Sequence, residues 1–129
     1  MSISTTKKNS GQHSKRARGQ YFEQIAEAYL VQQGGELIDR NTTYKGGELD
    51  LIFWLENHLV FVEVRYREQA DHGHPLETIT HTKQQRLLKA ARIFLQHHPQ
   101  LQNQPMRFDI VYFLANEQPN WLKNAIIAW

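Results

Sequence analysis

Asp50, Glu63 and Arg65 are the residues whose types and spacing could do chemistry together. They stand in two consecutive runs of strand length, Glu48 to Leu55 and Leu59 to Arg67, both rich in Val, Phe, Ile and Leu. Glu56-Asn57-His58 between the runs reads as the core of a hairpin loop. Side chains alternate faces along a strand, so Glu48, Asp50, Ile52 and Trp54 share one face, and Leu49, Leu51, Phe53 and Leu55 the other. In the second run Phe61, Glu63, Arg65 and Arg67 share a face, while Val60, Val62, Val64 and Tyr66 form an apolar one. One face of the hairpin is therefore expected to be core, and the other to carry Glu48, Asp50, Glu63 and Arg65. Asp50 and Glu63 share a side only if the loop has two or four residues. With the four-residue loop Leu55 to His58, Asp50 falls directly opposite Glu63.

Two carboxylates so close repel each other, and a cation between them would relieve that repulsion. Mg²⁺ is a hard ion that takes one or two carboxylates and leaves its other positions to water and substrate phosphate. Arg65, on the same face as Glu63, would point at the same place, where a guanidinium neutralises phosphate. Carboxylate, carboxylate and cation around one divalent ion are the parts of a phosphodiesterase, in which the ion lowers the pKa of a water for in-line attack. The same spacing also suits a solvated hairpin face on which Glu48 or Asp50 pairs with Arg65 or Arg67 across the strands. Spacing alone leaves both arrangements open.

The elements that must position these residues follow from periodicity. Phe22, Ile25, Ala26, Tyr29 and Leu30 form the stripe of an amphipathic helix that begins near Gly19 and stops at Gly34-Gly35. A short strand over Glu36 to Tyr44 and a Lys45-Gly46-Gly47 turn lead into the hairpin. Glu68 to Thr80, with Gly73 and Pro75, reads as a loop. A second helix, capped by Thr80 or Thr82, runs to His98 before Pro99. Its apolar arc is Leu87, Leu88, Ala91, Phe94 and Leu95; Arg86, Lys89 and Arg92 lie opposite, and Lys83 at the margin. Met106 to Leu114 is strand-like, and Trp121 to Trp129 is a last strand or a docked terminal segment. The order predicts an α/β fold, a mixed sheet with helices packed on it.

Composition bounds the rest. A chain of 129 residues is one domain's worth, and 40% hydrophobic with 22% charged residues is close to the globular average. The absence of cysteine excludes disulfides, thiolate metal sites and a cysteine nucleophile, and suits a reducing cytoplasm. No apolar run is long enough for a membrane span, and the first 18 residues lack the apolar region of a secretory signal. Lys7, Lys8, Lys15, Arg16 and Arg18 give those 18 residues a charge of +5, so with a net charge of +2 the remainder carries −3. The expected organisation is a basic, flexible tail over 1–18 and a single domain over 19–129. Such a tail could hold phosphates, or simply be solvated.

Gly19-x-x-x-Glu23-x-x-Ala26-x-x-Tyr29-Leu30, Arg40-Asn41, Gly47-Glu48-Leu49-Asp50-Leu51, Phe61-Val62-Glu63-Val64-Arg65-x-Arg67, Lys83 and Arg107-Phe108-Asp109 occur here in this order. The set resembles the uncharacterised YraN-type family of small bacterial proteins, which is similar to archaeal Holliday-junction resolvases. The resemblance covers roughly Gly19 to Phe113. It implies a restriction-endonuclease-like three-layer fold, a central mixed sheet flanked by helices, with an active site of the PD-(D/E)xK type. Carried over, Glu23 matches the glutamate of the first helix, Asp50 the first metal ligand and Glu63 the second. The Val64 carbonyl is a candidate third ligand, and Arg65 takes the position usually held by lysine. Arginine cannot act as a base, though it can hold a phosphate. Glu23 itself lies off the apolar stripe, where it can rim the core or serve as an acid near a helix N-terminus.

The expected function is a Mg²⁺- or Mn²⁺-dependent nuclease acting on DNA, with branched or damaged DNA as candidate substrates. The alternative is a non-catalytic nucleic-acid-binding or protein-adaptor domain derived from a nuclease fold. Lys83, Arg86 and Arg67, with Lys15, Arg16 and Arg18, are the expected contacts to a nucleic-acid backbone. A homodimer would suit a symmetric junction. His72 and His74, two loop histidines with no third ligand nearby, do not make a zinc site.

Overall fold

The computed structural model describes residues 14–67, 76 and 79–126. Helix α1 (Ser14–Gln32) is followed by strands β1 (Glu36–Tyr44), β2 (Gly47–Leu55) and β3 (His58–Arg67). Helix α2 (His81–His97), a short 3-10 turn (Pro99–Leu101), β4 (Met106–Leu114) and β5 (Asn120–Ile126) complete the described chain. The five strands form one sheet in sequence order. β1, β2 and β3 are successively antiparallel, β3 and β4 are parallel, and β4 and β5 are antiparallel. Two strands that run parallel need a crossover, and α2 lies within it.

Local chemistry sets the joints. α1 ends where Gly34 takes φ +96° and the Gly35 N–H returns to the Leu30 carbonyl at 2.9 Å. Glu56 and Asn57, both at positive φ (54° and 61°), make a two-residue hairpin turn, so Leu55 pairs with His58 and Leu51 with Val62. Thr80 caps α2 by accepting the Lys83 N–H at 3.1 Å. α2 lies so close to β2 that a Cβ on Gly47 would stand 2.5 Å from the Arg86 carbonyl oxygen. Only glycine fits there.

Both faces of the sheet are buried. Leu87, Leu88, Ala91 and Phe94 of α2 pack on Ile52, Phe61 and Phe108. Ala26 and Leu30 of α1 pack on Leu51, Phe53, Val60, Val62 and Val111. This is an α/β fold of three layers, consistent with the nuclease-like arrangement the resemblance implies. It also corrects the expectation that one face of the hairpin is core and the other a polar site. Ile52 and Phe61 bury that second face beneath α2, and the carboxylates are confined to one end of it. α1 starts at Ser14, earlier than the stripe predicts, because Lys15 to Arg18 is a solvated helical turn with no apolar face to betray it. Residues 1–13 of the expected tail and most of the loop between β3 and α2, His72 and His74 included, lie outside the described residues. Among the described residues no helix is long and apolar enough to cross a membrane.

Candidate active site

β2 and β3 part at the carboxylates. Their pairing runs as far as Leu51↔Val62, and one further step brings Asp50 opposite Glu63, the register expected from the sequence. At that step the Val64 N–H donates to Asp50 Oδ2 at 2.9 Å, a side chain taking a bond of the kind a neighbouring strand's carbonyl supplies in a ladder. The other edge of β2 is irregular at the same point. Arg40↔Leu51 and Thr42↔Leu49 are paired, and Asn41, between Arg40 and Thr42, adopts φ +49°. Strict alternation fails here as a consequence: Leu49 buries on the α2 side with Ile52, whereas the period-two pattern puts it with Leu51. A strand residue turns its N–H and C=O to the same edge, so the Val64 carbonyl faces the fork as well.

Among the described residues four acids surround the fork. Glu63 is buried, at 5% exposure, and its Oε2 lies 3.2 Å from Arg65 Nε and 3.7 Å from Lys83 Nζ. Its other oxygen, Oε1, is buried without a hydrogen-bond partner. Burial first, and the neighbouring Glu63 charge second, hold the Asp50 carboxyl well above the usual carboxylate range; the Val64 N–H and Lys83 oppose the shift. From α1, Glu23 Oε1 accepts from Asn41 Nδ2 at 2.7 Å. Burial raises the Glu23 pKa, the Asn41 bond counters it, and the charges of Asp50 and Glu48 add to the rise. Glu48 is exposed.

The structure thus brings together Asp50, Glu63, Arg65 and Lys83, with Glu23 at the rim. It does not bring Arg86, Lys15 or Arg16 to them: these side chains are exposed on their helices. Arg18 and Arg67 line a separate cavity with Tyr21, Phe22 and Tyr66. The role of Asn41 was not read from the sequence. Its signal is weak, since an asparagine within a strand-like run tolerates positive φ but does not announce which acid it will hold.

The donor set suits a hard divalent ion. Two carboxylates, one with an orphaned buried oxygen, and a carbonyl turned to the same gap are oxygen ligands of the number Mg²⁺ or Mn²⁺ accepts alongside water. Among the described residues no three His, Cys, Asp or Glu side chains gather at ligating distance, so the site is not a cage of protein ligands. Beside Glu23 a cleft of about 650 Å³ opens between α1 and β1, walled by Gln20, Gln24, Glu27, Arg40 and Asn41.

These features define an α/β protein with a three-layer mixed sheet and a carboxylate pair at a fork between two central strands. Residues 22–113 match the model of "Uncharacterised protein family UPF0102". The chain is 48% identical over 104 residues to a UPF0102 protein of Coxiella burnetii, an alignment covering 81% of this chain and 87% of that protein. It is 45% identical over 115 residues to one of Vibrio cholerae, covering 88% and 94%. A UPF0102 protein of Aeromonas hydrophila is 44% identical over 110 residues, 84% of each. The chain belongs to the UPF0102 family, in keeping with the YraN-type resemblance of its motifs.

Proposed function

We propose that this chain is a Mg²⁺- or Mn²⁺-dependent nuclease that hydrolyses phosphodiester bonds in DNA at the Asp50–Glu63 fork. One observation carries the proposal: a buried glutamate with an unpartnered oxygen faces a second carboxyl driven well above its ordinary pKa. A fold that buries such a pair lowers its own stability, and perturbed acids of this kind cluster at functional sites. Asp50, Glu63 and the Val64 carbonyl would hold the ion. When bound, it would supply Lewis-acid polarisation of the phosphodiester and activation of the attacking water.

The chain's own residues do the remainder. Arg65 and Lys83, both beside Glu63 Oε2, present a guanidinium and an ammonium to the phosphate and to the charge that develops on it. The arginine at the position where the resemblance implies lysine cannot move a proton; the Lys83 amine, reaching in from the first turn of α2, supplies that type of group from another element. Glu23, oriented by Asn41, accepts hydrogen bonds at the rim and can orient a water there.

Calorimetric titration of Mn²⁺ in the presence of a short branched DNA, with the same samples run on a gel, tests the proposal. The native chain should bind the ion and cleave; Asp50→Ala and Glu63→Ala should each abolish both. Metal binding that is unchanged in both variants overturns it. DNA binding without metal binding or cleavage, undiminished in Asp50→Ala, would mark the non-catalytic binding module instead.

A further inference from the structure

Helix α2 carries a row of cations and no acid. Lys83, Arg86, Lys89 and Arg92 recur at every third residue, and neither Asp nor Glu occurs between His81 and His97. Each step of three residues turns the row back by about 60°, so it crosses the solvent face from one border of the apolar arc to the other over about 14 Å. Arg86, Lys89 and Arg92 are exposed. The turn between β1 and β2 brings in Lys45. A Cβ on Gly46 would stand 3.3 Å from Lys89 Nζ, so that ammonium lies against the glycine next to Lys45 in the chain. Other cations of the sheet have partners: Arg40 is held by Glu27, Arg107 by Asp109 and Glu56, and Lys123 by Glu56. Among the described residues no acid stands at ion-pair distance from Lys45, Arg86, Lys89 or Arg92.

Like charges three apart on a helix repel, and an anion that spans the row relieves the repulsion. The row also stands against the sign of the domain, which carries −3 beyond residue 18. Its first member lies in the fork, where Lys83 Nζ is 3.7 Å from Glu63 Oε2, so the charges lead outward from the proposed site. The one Phe, Tyr or Trp of α2 is Phe94, and it is buried. Single-strand sites pair their charges with aromatic platforms for unstacked bases; a row of charges without them suits a backbone whose bases are paired inside. We infer that α2 bears the sugar-phosphate backbone of a nucleic-acid duplex, with Lys83 nearest the bond held at the Asp50–Glu63 fork and Arg92 farthest from it. The choice of a nucleic acid among polyanions rests on the nuclease proposal; the polyanion surface itself rests on the unpaired row.

The test is fluorescence anisotropy with a short labelled DNA duplex and an oligothymidylate of the same length, across a series of salt concentrations, in EDTA so that no divalent ion takes part. Arg86→Gln, Lys89→Gln and Arg92→Gln should each flatten the logarithmic salt dependence of duplex binding by about 0.9, and weaken it about eightfold near 0.1 M salt, the counterion contribution of one phosphate contact. The three side chains are exposed, so urea midpoints should stay native. Lys123→Gln removes the same charge from a paired cation on β5 and should leave the slope at its native value. A slope that Lys123→Gln flattens equally would reflect net charge alone and overturns the inference. Unchanged binding in all three row variants also overturns it, as does an equal loss for the oligothymidylate or a native chain that does not bind the duplex. Glu63→Gln separates the two proposals: it should lose cleavage in Mn²⁺ and keep duplex binding in EDTA with the native slope. A native chain that holds the duplex through the row and cuts nothing would end the nuclease proposal and leave this one standing.

Discussion

Two aspartates of this sheet, Asp109 fully buried and Asp50 partly buried, meet opposite fates. Asp109 on β4 is fully buried, and both of its oxygens are satisfied. Arg107 Nε donates to Oδ1 at 2.9 Å and Arg107 Nη2 to Oδ2 at 3.0 Å, Trp121 Nε1 adds a bond at 2.9 Å, and the Asn124 N–H one at 2.8 Å. β5 bends to reach it. Its register shifts between Phe108 and Ile110, and Asn124 adopts φ +53° so that its N–H turns to the carboxylate. Arg107 in turn donates to Glu56 at 2.9 Å; burial opposes its charge, but the bonds to Asp109 and Glu56 outweigh this and raise its pKa. Asp50 receives one backbone N–H and faces a second acid. A buried carboxylate given every partner holds a fold together, and one left short of partners marks where something else binds.

The sharpest way to break this comparison is to remove each acid in turn. Asp109→Ala strands the buried Arg107 and is expected to cost about 3–5 kcal/mol, the range for breaking a buried ion pair, read as a lower urea midpoint at constant slope. Glu63→Gln should cost far less, because the amide keeps the side chain's shape and the cations it releases, Arg65 and Lys83, are partly exposed to water. Equal losses would mean that both centres are structural. Next in size is the ion: Mn²⁺ at a hundred times its dissociation constant should stabilise the native chain by about 2.7 kcal/mol. That gain should vanish in Glu63→Gln and persist in Asp109→Asn. A thermal melt with and without Mn²⁺ separates the cases.

Much of this was legible in the chain, and the exceptions share one physical cause. Alternation places Glu63 with Phe61 and Arg65, and the turn length places Asp50 opposite Glu63, because local spacing decides both. The helix start is equally local, with Thr80 and Thr82 both able to cap it and Thr80 doing so in the structure. Alternation misplaces Leu49 because it presumes a regular ladder, and the ladder is irregular on both edges of β2 at Asp50. Arg107 and Asp109, two apart on one strand, were visible as neighbours. Their role was not, since Trp121 and Asn124 come from a later strand and arrive only through its bulge. Periodicity puts Lys83 at a helix margin; that it meets Glu63 depends on how closely α2 settles on β2, which Gly47 permits and no periodicity encodes.

That helix offers a smaller test. Thr80 accepts the N–H of Lys83 itself, so losing the cap loosens the turn that carries the ammonium to Glu63. Thr80→Ala should cost about 1 kcal/mol and Thr80→Ser almost nothing, by urea denaturation. If the fork is the catalytic centre, Thr80→Ala should also slow cleavage while Mn²⁺ affinity stays near native. The Asp109 network, on another part of the sheet, should not respond.

The smallest effect has the opposite sign from the largest. Asp50→Asn should stabilise the chain at pH 7, by up to about 1 kcal/mol, the scale of one like-charge contact across paired strands. The Asp50 pKa is raised in the native state, so the folded chain keeps a proton that the unfolded chain, with its ordinary value of 3.8, has already released. Stability from this group is therefore fully present below that ordinary value and is lost as the pH rises through the raised one. The asparagine, which never ionises, avoids the loss, so the variant's advantage should be absent near pH 3.5 and grow toward neutrality. Mn²⁺ should reverse the order at neutral pH, because an ion held by Asp50 takes the place of the proton and favours the native acid over the amide. Urea midpoints of the two chains between pH 3.5 and 8, with and without Mn²⁺, would show this crossing; parallel curves would mean that Asp50 is as well satisfied as Asp109.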